Sequence, residues 1–410
     1  MNLAGDFDRC LVCEKPASIA ESLHRQSLLF LMPGASSTRN PAAPGDPLAE
    51  LITTYNELNG AFIEELDEEP SPLEFMRYVA RNTPFVVRGA ASSWQSNKTW
   101  NREYLVQMFK DQTVNVAVTP FGNADAPTEH NGSVVFAKPH EEDQDFEEFI
   151  NYIINQEKSR DTTSEARYAQ TQNDNLRNEY LPLSSQVPPS VPFARIALDR
   201  DPDAVNLWIG TSRSVTALHK DNYENIYVQV RGRKHFALLP PCCHPCVNER
   251  ALAPATYARR GDGGLRLELD RAEDDADGEG DGGPPDAVPF ATWDPDYPDV
   301  NATPYSHLAE PVRVTLEPGD MLYLPAMWYH KVSQSCPEDG EGFVLAVNYW
   351  YVSSLGVRHG IQWPAVSPER LCQKREPPDG NISFSNFSNA RDFSNRWDGI
   401  EMARSPSMIK

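Results

Sequence analysis

The stretch TALHKDNYENIYVQVRGRK, residues 216–234, decides how the rest of this sequence is interpreted. His219 and Asp221 are one residue apart on a predicted β-strand, so both side chains can point to the same face and hold one metal ion. Because a single HxD pair is common, a third ligand is needed. His330 supplies it, at the end of the strand-like run MLYLPAMWYH, residues 321–330.

Two imidazoles and one carboxylate on a β scaffold are typical of the facial triad of non-haem Fe(II) oxygenases. In that arrangement the three protein ligands occupy one face of an octahedron. The remaining positions stay open for a cosubstrate and O₂. The pattern therefore predicts a metal centre formed by His219, Asp221 and His330.

Lys234 stands at the start of the strand that follows the HxD pair. A lysine there can bind the far carboxylate of a dicarboxylate cosubstrate, and Thr216 can add a hydroxyl donor. Taken singly, Lys234 fits a solvated strand-edge lysine and Thr216 fits an ordinary strand residue. Their combination with the predicted triad favours a binding site.

Two segments, 203–239 and 312–351, alternate apolar and polar residues with the period of half-buried strands. Gly232 and Gly319 interrupt them at turns. Many short strands around an interior site suit a double-stranded β-helix, the jelly-roll or cupin barrel. The predicted fold class is therefore mainly β with flanking helices.

Several motifs that occur in one order resemble the Jumonji-C (JmjC) 2-oxoglutarate oxygenases, and within them the lysyl hydroxylase group. The resemblance rests on WIGTSRSVTALHKDNYENIYVQVRGRKHF, EPGDMLYLPAMWYHKV and VLAVNYWY, with support from VNVAVTPFGNADA, RYAQTQNDNL and DAVNLWIG. It extends from about residue 47 to residue 351. It implies that the triad holds Fe(II), that 2-oxoglutarate chelates the metal, and that Lys234 pairs with its distal carboxylate. Further positions near the cosubstrate are implied for Thr216, Tyr168, Asn225, Tyr227 and Asn348.

Some of these implied roles have structural alternatives. Tyr168 could be a buried tyrosine with a satisfied hydroxyl, and Asn348 could make a cross-strand hydrogen bond. For Asn225 and Tyr227, alternation along the strand after Asp221 supports an inward direction. Asn222 and Lys331 depart from the family pattern, but neither is a predicted ligand. His235 is expected to be structural.

The activity implied by the resemblance is hydroxylation of a protein lysine at C3, with O₂ as co-reactant and a developmentally regulated GTP-binding protein as substrate. One alternative is a lysine demethylase or processing enzyme acting on histone tails. Another is a catalytically silent binding scaffold. Loss of a ligand or of Lys234 would have favoured the scaffold, and all four residues are present.

Composition limits the partners. The 410 residues carry a formal net charge of −22, which argues against a nucleic acid partner and suits a basic protein substrate. Asp6 and Asp8 stand where a leader would need positive charge, and the apolar run 28–32 is too short for a membrane span. These observations predict a cytoplasmic or nuclear protein without a membrane partner, and a homodimer is a further possibility.

The sequence divides into four predicted regions. Residues 1–46 are predicted to be a flexible tail, and 47–194 a helical and strand region packed on the barrel. Residues 195–355 form the predicted catalytic barrel, with a solvated acidic insertion at about 259–289. Residues 356–410 form a largely loose extension.

Local patterns predict three helices. The first spans 47–65 with an apolar stripe at Leu51, Tyr55, Leu58 and Phe62. The second begins at the capping box Ser71–Glu74, and the third carries an apolar packing face from Phe146 to Ile154.

Seven cysteines in a chain of this length do not indicate a disulfide framework. Cys10 and Cys13 form a CxxC pair, and the cluster 242–246 reads CCHPC. A zinc site is one interpretation of these patterns. The other is a tail and a loop that carry free thiols.

Overall fold

The computed structural model describes residues 45–270 and 287–352. All of them belong to one compact unit. The two predicted tails, apart from residues 45 and 46, and the acidic run 271–286 lie outside the described residues. Within the described ranges, no helix combines the length and apolar character that crossing a membrane requires.

Two β-sheets form the barrel. The larger has six strands in the order β1-β2-β17-β10-β19-β8, and the smaller has four in the order β16-β11-β18-β9. Their bounds are β1 Glu64–Leu66, β2 Phe85–Val87, β8 Ala204–Gly210, β9 Thr216–His219, β10 Tyr223–Arg231, β11 Arg233–Leu239, β16 Val312–Leu316, β17 Met321–Leu324, β18 Tyr329–Ser335 and β19 Val344–Val352. This arrangement confirms the predicted jelly roll.

Three smaller sheets lie beside the barrel, in the orders β12-β15, β14-β13-β5-β4 and β6-β3-β7. Their strands are β3 Thr113–Thr119, β4 Ala126–His130, β5 Ser133–Lys138, β6 His140–Asp145, β7 Ala166–Tyr168, β12 Glu249–Leu252, β13 Pro254–Arg259, β14 Leu265–Leu269 and β15 Val288–Ala291. An isolated bridge between Ala169 and Ile209 joins the end of β7 to the large sheet. This bridge brings the predicted cosubstrate residue Tyr168 to the barrel.

Two apolar cores follow from the alternation of side chains across the large sheet. One lies between the two barrel sheets and includes Tyr227, Phe236 and Leu322. The other covers the outer face of the large sheet, where Val228 belongs to the same apolar cluster as residues of the flanking helices such as Phe149. The inner core is therefore the one that surrounds the predicted site.

The flanking α-helices confirm two of the three predictions. Ser71 accepts a hydrogen bond from Glu74 N in a complete capping box, and the face that begins at Phe146 is buried. The helices are α1 Pro47–Asn59, α2 Pro72–Arg81, α3 Gln95–Thr99, α4 Arg102–Met108, α5 Phe146–Ser159 and α6 Pro192–Leu198, with 3₁₀ turns at Leu181–Gln186, Pro241–Cys246 and Ser306–Leu308.

The prediction for the first helix is wrong in length and in face. Helix α1 ends at Asn59, before Gly60 with φ 69°. Leu51 and Leu58 are 50% and 80% exposed, whereas Ile52 is fully buried. Ile52 packs with the 3₁₀ turn at Pro241–Cys246, so the contact with that turn decides the buried face rather than the strongest apolar stripe.

The segment predicted as a solvated insertion, 259–289, is bounded by strands. Strand β13 ends at Arg259 and pairs with β14, in which three leucines alternate with Arg266 and Glu268. Most of β14 is exposed, as expected for a surface segment. Regular strand structure therefore extends further into this segment than its composition predicted.

The loop between β3 and β4 packs closely against the residues that precede β9. Gly122 has φ 75°, and a Cβ on it would lie 1.8 Å from the carbonyl oxygen of Arg213. We expect Gly122→Ala to lower the free energy of unfolding by roughly 2–4 kcal/mol, because strain and a backbone clash add together. Chemical denaturation measures this change.

The matched control is Gly132→Ala. Gly132 also has a positive φ, 80°, but no atom lies within 4 Å of its added Cβ. The free energy of unfolding of Gly132→Ala should fall by about 1–2 kcal/mol, because only backbone strain contributes. Equal losses in the two variants would contradict the close packing of the loop that carries Gly122.

Candidate active site

The three predicted metal ligands lie together at one end of the small sheet. His219 ends β9 and pairs across the sheet with His330 in β18. Asp221 Oδ2 is 3.7 Å from His219 Nε2 and 3.6 Å from His330 Nε2. Among the described residues, this is the one group of three or more ligand-type side chains close enough to hold an ion.

Asp221 reaches this position differently from the prediction. It lies in the turn between β9 and β10 rather than on one strand with His219. Its carbonyl oxygen accepts a 2.7 Å hydrogen bond from the backbone N–H of Met327, which has φ 70°. A positive φ is uncommon for a residue other than glycine. At Met327 this conformation directs the backbone N–H toward Asp221, so the turn between β17 and β18 contacts the turn that carries the ligand.

Hydrogen bonds orient both imidazoles. His219 Nδ1 is 2.8 Å from the carbonyl oxygen of Ala217, and His330 Nδ1 is 3.0 Å from that of Trp328. Because a carbonyl oxygen only accepts, each Nδ1 carries the proton. Each Nε2 lone pair is then free to bind a metal ion.

Electrostatics favours ligands in the metal-binding protonation state. Burial opposes ionisation of Asp221, but His219 and His330 outweigh it and lower its pKa to about 2. Burial and the neighbouring His219 lower the pKa of His330 to about 4. Burial also opposes the charge on His219, yet Asp221 raises its pKa overall. The carboxylate is therefore ionised and His330 neutral near pH 7.

A β-bulge places Thr216 beside the triad. Across β9 and β18, Thr216 pairs with Val332 and His219 with His330, so β9 has one residue more than its partner between these pairs. Regular alternation would send Thr216 and His219 to opposite faces, because they are three positions apart. The extra residue turns both toward the cavity.

Lys234 is a buried cation without an anionic partner. It is 1% exposed and lies in β11, which is paired on both sides. Nζ donates a 3.0 Å hydrogen bond to the hydroxyl of Tyr168 and lies 5.5–5.9 Å from the ring centroids of Tyr168, Trp208 and Tyr227. No carboxylate of the described residues pairs with it. Burial lowers its pKa to about 7, and the solvated strand-edge interpretation is wrong.

A row of polar side chains crosses the large sheet beside Lys234. Trp208 Nε1 donates to Asn348 Oδ1 at 2.8 Å, and Asn348 Nδ2 donates to Asn225 Oδ1 at 3.0 Å. The cross-strand alternative for Asn348 is therefore present in addition to its place at the cavity. Trp350 is also buried, and its indole N–H has no partner among the described residues.

One cavity contains all nine residues predicted for the site. They are Tyr168, Thr216, His219, Asp221, Asn225, Tyr227, Lys234, His330 and Asn348. The sequence analysis missed other lining residues, including Gln172, Trp208 and Trp350. Strand alternation could have found Trp350, because it follows Asn348 by two positions on β19, whereas Gln172 lies in a turn beyond the end of β7.

The residues present fit a divalent metal and a dicarboxylate. Two neutral-capable imidazoles and one carboxylate form a donor set for a first-row metal ion. A buried ammonium and an unpaired indole N–H are both costly unless a ligand supplies acceptors. The geometry therefore suits an anionic cosubstrate that extends from Lys234 to the metal ligands.

The structure accounts for two residues outside the cavity that the sequence analysis singled out. His235 bonds to the hydroxyls of Thr315 and Ser335, so it is structural as expected. Lys331 points away from the triad and pairs with Asp294 and Asp296 at 2.6–2.8 Å. Lys331, which differs from the family pattern, therefore makes its polar contacts away from the metal ligands.

The CCHPC cluster, residues 242–246, forms a packed 3₁₀ turn rather than a metal site. Cys243 and Cys246 are fully buried in an apolar core with Leu218 and Leu239. The cysteines of this cluster are free thiols, and among the described residues only the His-Asp-His group has metal-ligand spacing. Cys10 and Cys13 lie outside the described residues.

Comparison with known proteins gives a consistent result. A sequence model of the cupin-like domain matches residues 70–356. Lysine-specific demethylase JMJ32 of Arabidopsis thaliana is 35% identical over 311 residues, which cover 73% of this chain and 84% of that protein. JmjC domain-containing protein E of Dictyostelium discoideum is 33% identical over 308 residues, or 71% and 84% of the two chains. The bifunctional peptidase and (3S)-lysyl hydroxylase JMJD7 of Homo sapiens is 35% identical over 287 residues, or 70% and 83%.

Proposed function

Because this chain belongs to the cupin-like JmjC family of 2-oxoglutarate oxygenases, we propose that it is an Fe(II)- and 2-oxoglutarate-dependent protein lysyl hydroxylase. The observation that carries the proposal is the unpaired ammonium of Lys234 in the same cavity as the His-Asp-His triad. A silent scaffold has no need to keep a cation buried without a counter-charge, since burial of this kind destabilises the fold.

In this proposal, His219, Asp221 and His330 hold Fe(II). When bound, the iron and 2-oxoglutarate supply an oxidant that adds oxygen to a C–H bond with O₂ as co-reactant. Lys234 and the hydroxyl of Tyr168 bind the distal carboxylate and so fix the direction of the cosubstrate.

The remaining side chains orient ligands and exclude water. The hydrogen bonds among Trp208, Asn348 and Asn225 keep amide groups fixed beside the cavity, so these groups do not have to reorganise when a ligand binds. Phe236 and Leu324 add apolar wall. The protein's main task is to place one C–H bond in reach and to keep others out.

We propose a lysine in a basic protein as the target, specifically C3 of a lysine in a developmentally regulated GTP-binding protein. The net charge of −22 supports a basic partner through long-range attraction. One relative is named a (3S)-lysyl hydroxylase. The proposed compartment is the cytoplasm, the nucleus or both.

Demethylation is the second candidate. A relative of equal identity is named a lysine-specific demethylase. Both outcomes use the same metal and cosubstrate and differ in the carbon that is hydroxylated. Hydroxylation of an N-methyl carbon releases that carbon, whereas hydroxylation at C3 leaves the oxygen on the lysine.

Intact-protein mass spectrometry tests the proposal. The protein is incubated with Fe(II), 2-oxoglutarate, O₂ and a developmentally regulated GTP-binding protein, with His219→Ala as the matched inactive control. We expect one added oxygen on a lysine with the unmodified protein alone. A parallel reaction with N-methyllysine histone peptides tests demethylation through loss of a methyl group.

The other outcomes separate the alternatives. If succinate forms but this substrate gains no oxygen, the protein is an oxygenase and the proposed substrate is wrong. Loss of methyl groups alone would support the demethylase. If neither succinate nor a modified product forms, the binding scaffold becomes the better account.

A further inference from the structure

A polar network outside the cavity involves the chain neighbours of the metal ligands. Lys220 stands between His219 and Asp221, and Tyr329 immediately precedes His330. The side chains of both residues meet at one carboxylate, that of Glu249 in β12. One side chain therefore connects the two segments that carry all three ligands.

Each member of the network has a defined hydrogen-bonding role. The hydroxyl of Tyr329 donates to Glu249 Oε2 at 2.9 Å. It accepts from Lys220 Nζ at 3.1 Å, and His244 Nδ1 lies 2.8 Å away and is the second donor. Lys220 Nζ also forms an ion pair with Glu249. A tyrosine hydroxyl has one proton to donate, and this arrangement uses it on the carboxylate.

The network is sheltered enough for its charges to matter. Tyr329 is 1% exposed, and the side chains of Glu249 and Lys220 are 17% and 26% exposed. Lys220 Nζ also lies 4.9 Å from the centroid of the Tyr329 ring. Removal of one partner would leave the others with unsatisfied polar groups in a largely buried place.

We propose that Glu249 is a positioning residue for the metal centre, which sets the spacing between the turn that carries Asp221 and the strand that carries His330. The inference uses the metal site of the proposed function and extends it to residues that do not line the cavity. Glu249 itself is held by strand pairing, since it lies opposite Ala291 in β15.

The physical reason is that fewer backbone contacts hold Asp221 than hold the two histidines. His219 and His330 are fixed by strand pairing, whereas Asp221 lies between β9 and β10 and is held through the hydrogen bond from Met327 to its carbonyl oxygen. Anchoring of the adjacent Lys220 to Glu249 limits movement of that turn. Outer residues that orient metal ligands commonly change metal affinity 10- to 100-fold when they are replaced.

The test uses Co(II), whose visible absorption reports ligand geometry without turnover. We compare Glu249→Gln, Glu249→Ala and Tyr329→Phe with the unmodified protein. The control is Glu317→Gln, which removes a carboxylate that pairs with Arg233 and is 50% exposed. The Co(II) dissociation constant, the Co(II) spectrum and the melting temperature of the metal-free protein are measured for each.

We expect Co(II) binding to weaken about tenfold in Tyr329→Phe and Glu249→Gln, with a changed spectrum, and further in Glu249→Ala. Glu317→Gln should leave both readouts unchanged. If Glu249→Ala does not fold, the two milder variants carry the test.

A lower melting temperature with unchanged Co(II) affinity and spectrum would show a merely structural role and overturn the inference. If the unmodified protein itself fails to bind Co(II), the metal site of the proposed function fails and the inference fails with it. If the unmodified protein binds and the Glu249 and Tyr329 variants bind equally well, the positioning role alone is rejected.

Discussion

Asp221→Ala is expected to abolish succinate formation from 2-oxoglutarate, with a loss on the order of 10³-fold or more. Asp221 is the only carboxylate in the triad, and its oxygen lies 3.6–3.7 Å from both imidazole Nε2 atoms. Its removal leaves two neutral donors for a divalent cation. A bound metal contributes several kcal/mol to catalysis, which corresponds to a rate change of this size.

The matched control is Asn222→Ala, one position further along the same turn. Asn222 is exposed and does not line the cavity, so its replacement should leave turnover within about twofold. Thermal unfolding of the metal-free proteins checks that both variants fold. Continued succinate formation by a folded Asp221→Ala variant would refute the assignment of the triad.

Lys234→Met is expected to weaken 2-oxoglutarate binding about 10²- to 10³-fold. Lys234 is the one lysine or arginine among the described residues that line the cavity, and a buried charge pair of this type is worth about 2–5 kcal/mol. Methionine keeps the length and apolar character of the side chain. Titration calorimetry with 2-oxoglutarate on the metal-loaded protein measures the loss.

The same substitution should stabilise the ligand-free protein, in a manner that depends on pH. The pKa of Lys234 is about 7 when folded and near 10.5 when unfolded, so the unfolded chain binds more protons between these values. The cost of burying the charge is fully present below pH 7 and disappears as pH rises toward 10.5. Lys234→Met should therefore raise the free energy of unfolding by a few kcal/mol at pH 6 and change it little above pH 10.

Lys138→Met provides the control for both effects. The side chain of Lys138 is 45% exposed and pairs with Asp270, and neither residue lines the cavity. We expect its replacement to change the free energy of unfolding by less than about 1 kcal/mol at either pH and to leave the affinity for 2-oxoglutarate unchanged. If Lys234→Met were destabilised at pH 6 relative to the unmodified protein, the unpaired buried cation would be an incorrect description.

The grouping of the candidate side chains in one cavity was predictable because it depends on residue type and strand position. His330, Asn225 and Tyr227 come to the cavity as the strand pattern indicated. The fold class followed from the same strand-like segments, although β10, β17 and β19 are buried on both faces rather than half-buried as the alternation predicted.

Other features could not be predicted because they depend on contacts between distant segments. The bulge that turns Thr216 inward exists only relative to β18, and the turn that holds Asp221 is fixed by Met327. The buried face of α1 is chosen by a 3₁₀ turn almost two hundred residues away. Local sequence preferences do not identify contacts with residues that are distant in the chain.

The distance along the chain between the two histidine ligands bears on how the protein is made. His219 and His330 are cross-strand neighbours, although about 110 residues separate them in sequence. During synthesis, the His219–Asp221 pair leaves the ribosome well before His330 does. A free pair of ligands binds metals weakly and with little selectivity, whereas the full set forms only when β18 pairs with β9 and β11. In the proposed enzyme, tight metal binding would therefore follow closure of the barrel rather than precede it.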